Sequence, residues 1–168
     1  DKCGVPEEKY AIPIGEARVA REGKDITLVA ISWMVKAALE AAESLSGQGI
    51  EVEVIDLRSV RPWDVEGVCA SVARTRRLVV CDTAWTTFGV SAEIAARVGE
   101  ELFGVLRAPI RRVGLPAVPT PACASLERAY YPTADDIVRA ARSTLGRDGA
   151  GALADDGAPG GHKPFSGP

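Results

Sequence analysis

Four thiols, one imidazole and a short run of paired charges are the groups in this sequence with reactive or charge-recognising chemistry. Cys3, Cys69, Cys81 and Cys123 stand far apart with no C-x-x-C pair, a pattern of reduced thiols rather than of a disulfide frame or a zinc site. A cysteine nucleophile needs a base beside it, and the single histidine, His162, lies near the end of the chain. Cys–His pairing, Ser–His pairing and a histidine metal site are therefore not expected from the rest of the chain. Asp82, directly after Cys81, is a candidate general base, although a strand-end aspartate more commonly orders the following loop. In VEVIDLRSVRPWD (52–64), Asp56, Arg58, Arg61 and Asp64 offer either an anion clamp or an ion-pair corner. Their charges cancel, which favours the corner. Trp85 and Phe88, in AWTTFGVSAEI, read as aromatic anchors for a core or an interface. SWMVKAALE, after the first long strand, holds no glycine where a phosphate-binding G-x-G-x-x-G would need three. Nucleophile, base and phosphate cradle are all missing from the pattern.

The elements that must position these groups alternate. ARVARE (17–22) suits a short edge strand, and Gly23-Lys24 turns into the strand DITLVAIS (25–32). Ser32 is placed to cap a helix whose apolar positions Met34, Val35, Ala38, Leu39, Ala42 and Leu45 follow helical spacing. Gly47-Gln48-Gly49 stops it, and IEVEVIDL (50–57) is rich in β-branched residues, as a strand should be. Asp64 is placed to cap a second helix with Val65, Val68, Cys69 and Val72 on one stripe. RLVVCD (77–82) reads as a strand buried on both faces. A third helix is expected from about Ser91 to Phe103, with Ile94, Ala95, Val98 and Leu102 inward, and IRRVG (110–114) is the last strand. Thr133-Ala134-Asp135-Asp136 matches a capping box that opens a helix carrying Ile137, Val138, Ala141 and Leu145. This alternation predicts an α/β fold: a three-layer sandwich of about five mostly parallel strands with helices on both faces. Ligands of such sheets sit beyond the carboxyl ends of the strands, here Ser32-Trp33, Asp56-Leu57-Arg58, Cys81-Asp82-Thr83 and Val113-Gly114-Leu115.

Bulk properties set the remaining bounds. The 168 residues, 46% hydrophobic and 26% charged, suit one globular domain with a substantial core. A net charge of −3 gives no nucleic-acid footprint. No apolar run approaches the roughly 18 residues of a membrane span. The polar start DKCGVPEEKY is not a signal peptide, and a cytoplasmic setting is expected. Because the chain does not begin with Met, it is read as a processed product or a piece of a longer polypeptide. Residues 1–14 are expected to be a linker, 15–145 the domain, and 146–168 a disordered tail or linker. In that last segment ten of 23 residues are Gly or Pro, and no apolar pattern offsets the entropy of ordering it.

Taken in order, YAIPIGEARVAREGKDITLVA, GIEVEVIDLRSVRPWD, RRLVVCDTAW, TFGVSAEIAARV, APIRRVGLPAVPTP and LERAYYPTADDIVRAA resemble the C-terminal domain of the transketolase family. The likeness is strongest to the beta subunit of the thiamine-diphosphate-dependent decarboxylating component of 2-oxo acid dehydrogenase complexes, chiefly the pyruvate and branched-chain enzymes. It covers roughly residues 8–145, and the IDLR-x-x-RP and FG-x-x-AEI segments are its specific motifs. The resemblance implies a domain that assembles a heterotetramer and offers a surface to the dihydrolipoyl acyltransferase core. Thiamine diphosphate and Mg2+ would lie between a pyrimidine-binding and a diphosphate-binding domain on other domains or chains. No catalytic, cofactor or metal residue carries over to this chain, which is expected to be inactive alone. Arg58, Arg61, Trp85 and Phe88 are then expected to serve domain and subunit packing.

Two departures bear on partners. Where the family commonly has LDAP, with an aspartate facing basic groups of the acyltransferase, this chain has LRAP, with Arg107 in that place. Opposed like charges in a desolvated pair cost several kcal/mol. The chain also runs for more than twenty residues past its last helix. An alternative implied by these departures is part of a split transketolase-like enzyme that passes a two-carbon ketol unit, with a carrier protein as acceptor. A non-catalytic interaction module is the third reading. Substrate identity is not legible here, since substrate-contacting residues would lie in other domains.

Overall fold

The computed structural model describes residues 7–146. Its elements, in chain order, are β1 (Arg18–Arg21), β2 (Ile26–Ala30), α1 (Met34–Ser46), β3 (Val52–Asp56), α2 (Val65–Thr75), β4 (Leu78–Trp85), α3 (Val90–Glu101), β5 (Arg111–Leu115), α4 (Ala124–Tyr130) and α5 (Ala134–Thr144). The five strands form one sheet in the order β1-β3-β2-β4-β5. β2 pairs parallel with β3 and β4, and β4 with β5, while β1 runs antiparallel along β3. The expected α/β sandwich with a mostly parallel sheet is what the chain forms.

The strand alternation divides two cores. Ile26, Leu28 and Ala30 of β2 face α1 and α5 with Val52, Val54, Val79 and Cys81. Val29 faces α2 and α3 with Ile55, Leu78 and Val80. α1 meets the sheet through Met34, Ala37, Ala38, Ala41, Ala42 and Leu45, an alanine-rich stripe that brings helix and strand backbones close. One part of the second layer is polar. The Thr27 hydroxyl lies 2.7 Å from that of Ser71 and 2.8 Å from that of Thr75. Beside it one oxygen of the buried Glu53 carboxylate accepts a 2.6 Å bond from Arg74, while its other oxygen is buried without a partner.

Helix ends follow the expected chemistry with one correction. Asp64 accepts from the Gly67 N–H at 2.8 Å, capping α2, and Asp136 accepts from both the N–H and the hydroxyl of Thr133 at 2.8 Å, closing the start of α5. Ser32, however, does not cap α1. The N-cap position falls on Trp33 without a side-chain bond, because Ser32 itself turns in the left-handed region with φ 54. β4 is also longer than the expected RLVVCD strand, continuing through a register shift to Trp85. α4 is an element the periodicity did not reveal.

Since β2 to β5 run parallel, their carboxyl ends share one edge of the sheet, and their amino ends the other. Cys3, His162 and the expected 146–168 tail beyond Gly146 lie outside the described residues.

Candidate functional site

Three connections at the carboxyl edge leave their strands through the same unusual backbone. Ser32 after β2, Arg58 after β3 and Phe88 after β4 have φ values of 54, 60 and 57, a region that costs an L-residue about 1–2 kcal/mol. None is a glycine. These turns throw aromatic side chains outward: Trp33 is 65% exposed, Trp85 51% and Phe88 100%. The corner after Trp85 is also tight, because a Cβ on Gly89 would stand 2.0 Å from the Trp85 carbonyl oxygen. Only a glycine fits there.

α4 lies across this edge and shapes it. The Trp85 indole N–H donates to the Tyr130 hydroxyl at 3.3 Å, and that hydroxyl donates to the Val118 carbonyl at 3.0 Å. Tyr131 packs edge-on against Tyr130 with ring centroids 5.4 Å apart. Between α4 and the strand ends is a groove of about 610 Å³ lined by Trp33, Thr83, Ala124, Glu127, Arg128 and Tyr131. Its walls are largely apolar, and the Lys36 ammonium stands 6.0 Å from the Trp33 ring centre. This is recognition chemistry. It offers apolar area and rim charges but no reacting group.

The charged run 56–64 resolves into two devices. Asp56 faces Arg58 at 3.8 Å and Arg18 of β1 at 3.7 Å, so the corner is completed by an arginine from the edge strand. Asp64 serves backbone instead: one oxygen caps α2 and the other accepts the Ala17 N–H at 3.0 Å. Arg61 is exposed and has no carboxylate partner among the described residues. The four charges therefore do not form a closed cluster. Arg58 is used within the domain, and Arg61 is left to the surface.

Cys81 and Asp82 are neighbours in sequence but not in function. Successive residues of a strand point to opposite faces, and Cys81 is packed in the α1–α5 layer. Burial, and then the Asp82 charge, push the Cys81 thiol far above its usual range. Burial likewise raises Asp82, against N–H bonds from Thr83 and Ala84, and one carboxylate oxygen is buried with no partner. No thiolate–base pair arises. Among the described residues no three His, Cys, Asp or Glu side chains converge on a point that would hold a metal ion. Among the described helices at this edge, α3 begins on a single glycine, Gly89, not on the three that a G-x-G-x-x-G cradle would supply. The residues present do not fit a diphosphate–Mg2+ group, and no chemical step is assigned to one on this chain.

Arg107 lies at the opposite end of the molecule from the other four expected interface residues. Its N–H bonds the carbonyl of Arg76, just before β4, at 2.9 Å, which fixes it at the amino edge. The structure thus gathers Arg58, Arg61, Trp85 and Phe88 at one edge and separates Arg107 from them. Trp33 stands at an expected ligand-facing strand end but was not legible as an interface aromatic, and Tyr131 was not legible as part of the site. The only signal was an aromatic directly after the apolar run of β2, and α4, which brings Tyr131, is too short to show periodicity.

Comparison with known proteins matches this architecture. The profile of the transketolase C-terminal domain matches residues 15–137. The chain is 49% identical over 138 residues to the pyruvate dehydrogenase E1 component subunit beta-2, mitochondrial, of Oryza sativa, covering 82% of this chain and 37% of that one. To the acetoin:2,6-dichlorophenolindophenol oxidoreductase subunit beta of Cupriavidus necator it is 45% identical over 141 residues, covering 84% and 42%. A solved split-gene transketolase, described as an inactive beta4 tetramer, superposes with a TM-score of 0.69 at 32% identity over 84% of this chain and 47% of that one. The chain thus spans about two fifths of the length of the curated relatives it matches.

Proposed function

Because the chain belongs to the transketolase C-terminal domain family, we propose that it is the C-terminal assembly domain of a beta-type subunit in a thiamine-diphosphate-dependent 2-oxo acid dehydrogenase. In this reading it contributes packing surface rather than reacting groups to oxidative decarboxylation and acyl transfer to a lipoyl group. Its partners are the domains or polypeptides that bind the pyrimidine and diphosphate ends of the cofactor with Mg2+, in a heterotetramer or larger complex. The observation that carries it is Phe88, a large aromatic wholly exposed on a left-handed turn. An isolated domain gains nothing from either feature, so both point to a covering surface in the assembly. Trp33 and Trp85 add exposed aromatic surface at the same edge of the sheet.

The test is co-expression with polypeptides carrying the pyrimidine- and diphosphate-binding domains, followed by size-exclusion chromatography and a decarboxylation assay on pyruvate and branched-chain 2-oxo acids. Co-elution is expected, with turnover that depends on this chain. The chain by itself is expected neither to bind thiamine diphosphate nor to decarboxylate pyruvate. Micromolar cofactor binding by the chain alone, seen in a calorimeter, defeats the reading. A second reading, a component of a split transketolase-like enzyme passing a ketol unit to a carrier protein, is supported by the likeness to the split-gene chain and by Arg107 in the LRAP segment. Turnover with a ketose phosphate donor, and none with 2-oxo acids, would select it.

A further inference from the structure

The loop between α3 and β5, at the amino edge, is built with two opposed sides. Leu102, Leu106 and Ile110 pack into the α2–α3 core, and Gly104 at φ 85 makes the turn between them. The intervening side chains point outward: Phe103 is 92% exposed, Val105 37%, and Arg107 is exposed. Anchored residues on one side hold the outward ones in place, so little ordering remains to be done on binding.

Around this loop positive charge is left over. Arg107 is joined to Arg76 through the backbone at 2.9 Å, and Arg111 begins β5 opposite Val79. None of these three has a carboxylate within ion-pair distance among the described residues, and the Arg111 Nε is buried without an acceptor. The nearby acids are already engaged. Glu101 and Glu100 share Arg97 at 2.6 and 3.9 Å, one oxygen of Glu53 bonds Arg74 at 2.6 Å, and Glu51 and Glu43 share Arg21 at 3.7 and 3.0 Å. Asp25 accepts the Glu51 N–H at 2.8 Å. A chain with a net charge of −3 therefore carries a local cationic patch beside an exposed phenylalanine.

We propose that this patch docks an acidic segment of a partner protein, with carboxylates on Arg76, Arg107 and Arg111 and an apolar side chain on Phe103. Charge complementarity selects the sign of the partner, and the exposed aromatic supplies the apolar centre that such interfaces require. A protein segment suits this mixture better than nucleic acid, which would call for a longer basic track. The patch is at the far end from Trp85 and Phe88, so it stands whether or not the carboxyl-edge reading does.

The experiment uses the full 168-residue chain and three fluorescent probes: a short Glu-Glu-Leu repeat peptide, its Lys-Lys-Leu counterpart, and oligo-dT. Fluorescence anisotropy is expected to show binding of the acidic peptide only. Arg107→Asp is expected to weaken it about tenfold or more, and Phe103→Ser a few-fold, as for charge reversal and loss of an apolar contact at an interface. Phe88→Ser, at the other edge, is expected to leave it unchanged. All three sites are exposed, and melting curves of the variants confirm folding. No binding of the acidic peptide, equal binding of the lysine peptide, stronger binding of oligo-dT, or indifference to Arg107→Asp would each overturn the proposal.

Discussion

The local energetics of Asp82 and of Phe88 both run against the stability of the domain. Asp82 has one buried carboxylate oxygen without a partner, and burial raises its pKa. A raised folded-state pKa means the folded chain holds its proton where the unfolded chain has released it. The resulting penalty is therefore absent below the unfolded carboxylate range, grows as pH rises through it, and is complete above the folded pKa. Asp82→Asn keeps an acceptor for the Thr83 and Ala84 N–H groups and removes the charge. It is expected to stabilise the chain by about 1 kcal/mol at neutral pH, an advantage that disappears in acid. Urea melts at neutral and acidic pH check this, and a pH-independent difference would show that the charge is not the cause. Phe88 is different, because its side chain buries nothing in the domain while its backbone is left-handed. Replacement by glycine relieves about 1–2 kcal/mol and costs about 0.5–1 kcal/mol of unfolded-state entropy. Phe88→Gly is expected to make the chain slightly more stable and its assembly weaker. Loss of stability on this change would mean that the ring packs within the domain.

At the scale of elements, the β4–α3 corner decides where Trp85 and Phe88 point. The Gly89 Cα stands so close to the Trp85 carbonyl that an added Cβ would meet backbone at 2.0 Å. Backbone cannot yield as a flexible side chain can, so Gly89→Ala is expected to cost roughly 2–4 kcal/mol and to swing the aromatic pair out of place. A denaturation midpoint within error of the parent would refute this contact. Such corners are also where the sequence became unreadable. The core stripes of α1, α2, α3 and α5 were visible because helical periodicity reports burial over several turns, and Ile94, Val98, Ile137 and Ala141 are indeed wholly buried. β2 and β3 were visible as β-branched runs. What stayed hidden depends on φ rather than on hydropathy. Ser32 reads as a cap but sits in the left-handed region, which moves the start of α1 onto Trp33. α4 is seven residues long with only Tyr130 buried, so it carries no stripe. The groove depends on α4 and on Trp33, and neither announces itself by spacing. The resemblance placed Arg107 beside the other interface residues in function, but only the parallel sheet shows that it occupies the opposite edge.

For the whole molecule, the parallel sheet works as a spacer between two surfaces of different chemistry. The carboxyl edge presents aromatic area on left-handed turns, and the amino edge presents, around Phe103, arginines with no carboxylate partner among the described residues. β4 alone is eight residues long, which at about 3.3 Å per residue separates the edges by roughly 25 Å. Sites farther apart than about 7–10 Å with no shared partner add within about 0.3–0.5 kcal/mol. The core residues of β2, β3 and β4 between them are buried, which gives no reason to expect coupling between the edges. Phe88→Ser is accordingly expected to raise the dissociation constant for the cofactor-binding polypeptides and to leave acidic-peptide binding untouched, while Arg107→Asp does the reverse. In the double variant each loss should equal that of its single variant. Sedimentation velocity for assembly and anisotropy for the peptide, run on all four proteins, give the coupling directly. A coupling well beyond 0.5 kcal/mol would show that one partner spans both edges, or that covering the aromatic edge repacks the arginine edge. In either case the sheet would no longer be an inert spacer, and the two surfaces would have to be treated as one.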